Sequence, residues 1–476
     1  MSSNQLSGAK RALLEKRLGR TFSDLGMISH IPRRPLTERA PLSIQQHRQW
    51  LLLEKERQPS FYNNIVRLKG SLDALAFCRA FDEVVNRHEI MRTTLVVENG
   101  QPVQVIHPPR ESNLPFKDLS GLATDAREQY LAQLSAEQVR PFDLAQGPLF
   151  RATLLRFAEE EHVLLFTLLH LVADYWSIKV MISEISTIYR ALIEGKAASL
   201  PELPIQYGDY AWWQQQPSEQ ARLNEELEYW RPRLQDYSGV LQLPTDKPRP
   251  PLQTFCGAHE SIVLSQELSE ALQSLSRREG GTLFMTMLAV LNVLLSFLTG
   301  SKDIGVATGV AGRHRVETER LVGCFINTLV MRTNLEGDPS FTGLLRRVRE
   351  VALGAFAHQE MPFQKLAEDV VPFPNPSYPP LVQVSFALHH QGREADSDGD
   401  LRMSMSGVDA GRAAFDLTLR IHETGYGIVC SMEYNTDLFE PATITRMLEN
   451  YRHLSEQVAA DAQRRLSQLN LKEFIS

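Results

Sequence analysis

The stretch "HVLLFTLLHLVADYWSIKV", residues 162–180, decides how the rest of the chain is read. Its first nine residues form an almost unbroken apolar run, which predicts a strand buried on both faces. From Ser177 the period changes. Ile178, Met181, Ile182, Ile185, Ile188 and Leu192 recur at helical spacing and predict an amphipathic helix with one buried side. His170 falls at the junction, where a strand hands over to a helix and side chains turn into crevices. Asp174 follows four residues later, with a turn between the two. Two readings of each residue stand. His170 is a general base or a satisfied core histidine, and Asp174 caps the helix or pairs with an arginine.

Similar signals repeat outward. Residues 61–70 predict a strand ending at Gly70, and residues 73–89 a helix carrying Leu75, Phe77, Phe81 and Val84 on one side. Residues 92–107 predict a hairpin turned at Asn99-Gly100. Residues 148–170 predict two strands about an acidic turn, Glu159–Glu161. Prolines then crowd residues 232–251. Beyond them come a strand (258–264), a helix (266–278), an apolar helix (282–298), a strand (303–310), a long helix (338–359), strands at 381–390 and 427–439, and a helix at 441–461. Residues 391–402, with "DGDLR", predict an exposed loop. Both halves mix strands and helices in similar order, so the fold class is α/β with two related lobes and a groove between them. The expected organisation is a linker or docking tail (1–40, helical at 5–20), an N-terminal lobe (41–231), a linker (232–256), a C-terminal lobe (257–465) and a lead-out (466–476).

Bulk properties bound the function. In 476 residues, 43% are hydrophobic and 22% charged; Lys plus Arg is 50 against 57 Asp plus Glu, a net charge of −7. No basic stripe offers itself to nucleic acid. Cys78, Cys256, Cys324 and Cys430 show neither metal spacing nor a disulfide framework, which fits a reducing cytoplasm and predicts no bound metal. Residues 280–301 hold no charge, and their length suits a membrane span. Thr282, Thr286, Asn292 and Ser296 interrupt them and no basic flank biases one end, which favours a buried helix and no membrane partner.

An imidazole at the end of a strand can take a proton from an attacking amine or hydroxyl, a contribution of about 10²–10⁴-fold. Other candidates have plainer readings. "RHE" (87–89) pairs and caps at a helix end, and Trp212 and Trp213 pack. Asn327 lines a groove or holds the lobes. "GRHR" (312–315) meets an anionic partner through Arg313 and Arg315 or is a solvated loop.

The surroundings of His170 resemble the condensation domains of nonribosomal peptide synthetases. The family signature His-His-x-x-x-Asp-Gly is matched by Leu169-His170-Leu171-Val172-Ala173-Asp174-Tyr175, followed by Trp176 and Ser177. Six more stretches resemble family motifs in order: "LSIQQHRQWLL" (42–52), "RHEIMRTTL" (87–95), "YGDYAWWQ" (207–214), "VGCFINTLVMR" (322–332), "HQEMPFQKL" (358–366) and "SYPPLVQVSFAL" (377–388). The resemblance covers roughly residues 40–465. It implies two chloramphenicol acetyltransferase-like lobes, a pseudo-dimer forming a V with a central tunnel. It also implies His170 as base or positioning group and a structural ion pair between Asp174 and Arg332. Leu169, Tyr175, Trp176, Ser177 and Asn327 would lie along the tunnel, with oxyanion donors among the N–H groups near Trp176–Ser177.

The implied reaction is acyl transfer from a thioester on a carrier protein's phosphopantetheine arm to an amine or hydroxyl, with no cofactor bound by this chain. Partners would be acyl- or peptidyl-carrier domains, docking through Arg313 and Arg315, and neighbouring synthetase or polyketide synthase modules. The chain itself would be a monomer. Two departures stand out: Leu169 replaces the first histidine, and Tyr175 replaces the glycine. The second departure marks either a subclass with an unusual acceptor or an inactive module that recruits carriers or tailoring enzymes. The wider superfamily adds a further alternative, a free-standing acyltransferase using coenzyme A thioesters.

Overall fold

The computed structural model describes residues 30–472, apart from 36, 57–59, 112, 372–374, 391–400 and 409–410. The helix expected at 5–20, most of the tail, most of the loop at 391–402 and the last residues of the lead-out lie outside the described residues.

The first half builds β1 (Ala40–Pro41), α1 (Ile44–Glu56), β2 (Phe61–Lys69), α2 (Ala74–Arg87), β3 (Thr93–Glu98), β4 (Gln101–Ile106), β5 (Phe116–Asp118), α3 (Thr124–Gln138), β6 (Phe150–Ala158), β7 (Glu161–Leu169), α4 (Tyr175–Ile193), α5 (Tyr207–Gln214) and α6 (Pro217–Leu234). Strand β7 lies inside a five-stranded sheet of order β12-β2-β7-β6-β5, where β12 is Arg402–Gly407 of the second half. Leu164, Phe166 and Leu168 of β7 face a core with Phe77, Phe81 and Val84 of α2 and Ile178, Met181 and Ile185 of α4. Val163 and Leu165 point the other way, against Leu131 of α3. Burial on both faces is why this strand has no polar alternation. Strands β3 and β4 form the expected hairpin, with Asn99 at φ 51° and Gly100 at φ 78°.

The second half builds β8 (Gly257–Leu264), α7 (Gln266–Arg278), α8 (Leu283–Thr299), β9 (Asp303–Val310), β10 (Asn327–Asn334), α9 (Phe341–Ala357), α10 (Phe363–Val370), β11 (Val384–His390), β12 (Arg402–Gly407), β13 (Leu417–Thr424), β14 (Gly427–Asn435) and α11 (Pro441–Ala460). Six strands in the order β10-β9-β11-β13-β14-β8 pack against α7, α8, α9 and α11 around the larger core. The uncharged run is α8. Thr282 caps its start, Gly300 in the left-handed conformation ends it, and every residue from Met285 to Ser296 is buried. No single helix among the described residues is long and apolar enough to cross a membrane; α7 and α8 together reach that length but meet at 105°.

The two lobes exchange parts. Strand β12, just beyond the loop expected at 391–402, pairs antiparallel with β2 and so completes the N-terminal sheet from the far half of the chain. Leu227, Trp230 and Leu234 of α6 sit in the C-terminal core, and Pro232 of the proline-rich stretch lies within that helix. In return, Leu321, Val322 and Phe325 sit in the N-terminal core. Because α8 is buried all round, Leu294→Ala is expected to cost about 2–5 kcal/mol of stability, read as a lower denaturant midpoint at unchanged slope.

Candidate active site

Strand β7 ends at Leu169, and the His170 N–H donates to the Ser60 carbonyl at 2.8 Å. The chain then turns tightly and brings the imidazole back over the turn. Its Nδ1 lies 2.9 Å from the Ala173 carbonyl oxygen. A carbonyl only accepts, so Nδ1 carries the proton and Nε2 presents its lone pair. Burial lowers the pKa of His170, opposed by the Ala173 carbonyl and the Asp174 charge. The imidazole is therefore neutral at neutral pH, the form a general base requires.

Nε2 faces the hydroxyl of Tyr62 at 3.4 Å, with the two rings edge-on at 4.8 Å between centroids. The Cys324 thiol approaches the other side, 3.8 Å from Nδ1. Burial pushes both the phenol and the thiol well above their ordinary pKa values, and nearby Asp174 adds to both shifts. Since the Nδ1 proton is already given to Ala173, the thiol is not paired with a base.

Asp174 is the N-cap of α4. Its Oδ1 accepts from the Ser177 N–H and Oγ at 2.7 Å each and from Arg313 Nη2 at 3.0 Å, and its Oδ2 accepts from the Phe325 N–H at 3.1 Å. Arg313 also donates to the Thr318 and Leu321 carbonyls at 2.6 Å each and lies over the Phe325 ring. The Gly323 N–H in turn donates to Ser177 Oγ at 3.0 Å. Helix capping and the joining of the lobes are thus one network. His88 extends it, with Nε2 at 2.9 Å from Glu184 and Nδ1 accepting from the Val322 N–H at 3.4 Å. The "RHE" segment therefore pairs.

Several expectations are corrected. The arginine partner of Asp174 is Arg313, not Arg332. Arg332 holds Asp303 at 2.8–3.1 Å and the Arg233 and Gln235 carbonyls. The reason is the β9–β10 register, which pairs Asn327 with Val310 but Arg332 with Gly305. Arg332 lies five residues along β10 from Asn327, roughly 17 Å away at strand rise. Arg313 follows β9 directly and stays at the junction. Its side chain is only 2% exposed, so it offers no carrier a docking surface. Arg315 stacks on the Trp213 ring at 4.6 Å rather than standing free in a loop.

Leu169 is 1% exposed in the N-terminal core and lines no passage. Ser177 is buried in the cap network, and its N–H, already given to Asp174, is not an oxyanion donor. Asn327 is buried too, donating to the Gln359 and Met361 carbonyls and accepting from the Phe363 N–H, so it holds α10 in place. Tyr175 and Trp176 remain accessible, at 44% and 45%. The Tyr175 ring lies under the Lys179 ammonium one helical turn on, and the Trp176 indole donates to the Glu319 carbonyl at 2.9 Å. The phenol beside His170 is thus Tyr62, which sequence reasoning missed. Strand pairing sets Tyr62 opposite Leu168, and only the register reveals it. Among the described residues, no group of three or more His, Cys, Asp or Glu is placed to hold a metal ion.

The model of the condensation domain family matches residues 37–473. The chain belongs to that family. A condensation domain thus accounts for both lobes, whose fold is the two-lobe chloramphenicol acetyltransferase-like one. Among curated relatives, a linear gramicidin synthase of Brevibacillus parabrevis is 42% identical over 98% of this chain, which spans 9% of that protein's length. Among solved structures, the X-domain from teicoplanin biosynthesis superposes with a TM-score of 0.83 at 27% identity, covering 93% of this chain and all of that one. The same X-domain in complex with OxyB gives 0.82 at 27% identity, covering 93% of this chain and 98% of that one.

The arginine assignment has a direct test. Arg313→Met leaves the Asp174 carboxylate buried without its cation, and is expected to lower stability by about 3–5 kcal/mol in chemical unfolding. Arg332→Met removes a more exposed pair and is expected to cost about 1 kcal/mol.

Proposed function

We propose that this condensation domain transfers an acyl or peptidyl group from a carrier-bound phosphopantetheine thioester to an amine, forming an amide. The observation that carries the reading is the neutral His170 ring, fixed by Ala173 with its Nε2 lone pair turned away from the turn. The acceptor nitrogen, itself neutral, attacks the thioester carbon. His170 Nε2 takes a proton from that nitrogen as the C–N bond forms, and returns one to sulfur as the C–S bond breaks. The tethers hold both reactants at high effective concentration, and the base adds about 10²–10⁴-fold. The donor and acceptor carriers are the proposed partners, and their arms are proposed to reach His170 past the accessible Tyr175 and Trp176.

A second reading draws on the X-domain likeness and on Tyr175, which stands where the family signature has glycine: a platform that recruits a tailoring enzyme, as that X-domain complexes with OxyB. One experiment separates the two. An acyl-loaded carrier protein is mixed with a panel of amines and alcohols, products are read by mass spectrometry, and acyl-coenzyme A without carrier serves as the third arm. Amide from the carrier, reduced about 10²–10⁴-fold in His170→Ala, supports the transferase. No product from any pair, with binding to a tailoring enzyme that survives His170→Ala, supports the platform.

The pH profile is a further check. The base works unprotonated and its pKa is lowered, so once the ionisation of the acceptor amine is divided out, the rate is expected to stay flat through neutrality. The limb due to His170 should fall below pH 6.5, the ordinary histidine value, as Nε2 protonates. His170→Ala is expected to lose that acid limb.

A further inference from the structure

Resting on the transferase reading, we propose that the Tyr62 hydroxyl is a further catalytic group, the hydrogen-bond donor to the oxygen that becomes negative in the tetrahedral intermediate. Tyr62 is the second residue of β2, and its strand partner Leu168 precedes His170 by two residues on the same face of the sheet. That register sets the phenol against Nε2, the proton-accepting atom, and not against Nδ1. The phenol oxygen also lies close enough to the Tyr175 backbone N–H, at the start of α4, for that N–H to favour its charged form. The hydroxyl thus sits between a base and the first amide of a nineteen-residue helix. Of the amides near Trp176–Ser177 that the family resemblance implied as donors, that of Ser177 is spent on Asp174.

In the free protein the phenol hydrogen has the Nε2 lone pair as its partner, at the long distance of 3.4 Å. When an acceptor amine takes that lone pair, the phenol hydrogen is released. It turns to the thioester carbonyl oxygen beside the attacking nitrogen. Tyr62 keeps its proton throughout: the only protons transferred run from nitrogen to Nε2 and from Nε2 to sulfur. A buried phenol suits this role because it stays protonated across the working pH range. Two residues deeper on the same strand face, the buried Nδ2 of Asn64 has no hydrogen-bond partner, a second donor turned to the same side of the sheet.

The test uses the full chain with the acyl-carrier and amine pair that turns over best. Tyr62→Phe keeps the ring and removes the donor. Its kcat is expected to fall about 10²–10³-fold with KM little changed, an unshifted unfolding midpoint, and the acid limb due to His170 still present. Wild-type rates in Tyr62→Phe overturn the role of Tyr62 alone, and faster rates do so too by marking the phenol as an obstruction. A wild-type chain silent with every pair overturns the transferase reading and this role together. If Tyr62→Phe does not fold, fluorinated tyrosine at position 62 replaces it. A rate that follows the acidity of the ring hydroxyl is expected, and a rate indifferent to it overturns the proposal.

Discussion

A single buried carboxylate organises this molecule. Asp174 would be strongly unfavourable in the interior if its charge were left to itself, because desolvating an ion costs several kcal/mol. It is met by Arg313, by the Ser177 and Phe325 amides and by the Ser177 hydroxyl. These donors come from both lobes, so satisfying one charge fixes the start of α4, draws residues 321–325 into the N-terminal core and closes the turn that carries His170. The chemistry of the imidazole and the joining of the lobes are therefore not separable. A buried carboxylate, 2% exposed, sets where the His170 ring can stand.

The same charge is felt at the site. Together with burial it keeps the Tyr62 phenol and the Cys324 thiol in their neutral forms, while at His170 burial outweighs it and holds the imidazole neutral. Near Nε2 the protein thus presents one lone pair and one hydroxyl, with no formal charge at either. Such surroundings do not favour an ammonium ion, which is why the proposed reaction takes its acceptor as a neutral amine.

Features with their own sequence period were legible. The apolar run of β7, the helical spacing of α4, the uncharged α8 and the Asn99-Gly100 turn each carry a local signal strong enough to place them. His170 was placed at a strand end for the same reason. The failures share a cause as well: they depend on which residue lies opposite which. Arg313 and Arg332 look alike in sequence, and only the β9–β10 register puts one beside Asp174 and the other beside Asp303. Tyr62 gave no sign of its place until β2 was paired with β7. Ser177 and Asn327 have polar side chains that suit a passage, but both are consumed by backbone groups, as buried polar residues generally are. Strand β12 is short and polar, and nothing local marks it as the edge of a sheet built 330 residues earlier in the chain, roughly the span from β2 to β12.

The exchanged β12 has a bearing on how such modules can be recombined. A crossover at the proline-rich stretch would give the N-terminal sheet an edge strand of foreign origin. Backbone ladders are indifferent to most side chains, so that seam would tolerate it, provided a residue like the buried Met403 still fills its place. The Arg313 seam has no such tolerance. A hybrid would need a guanidinium at that one position, or its two halves would meet around an unanswered charge.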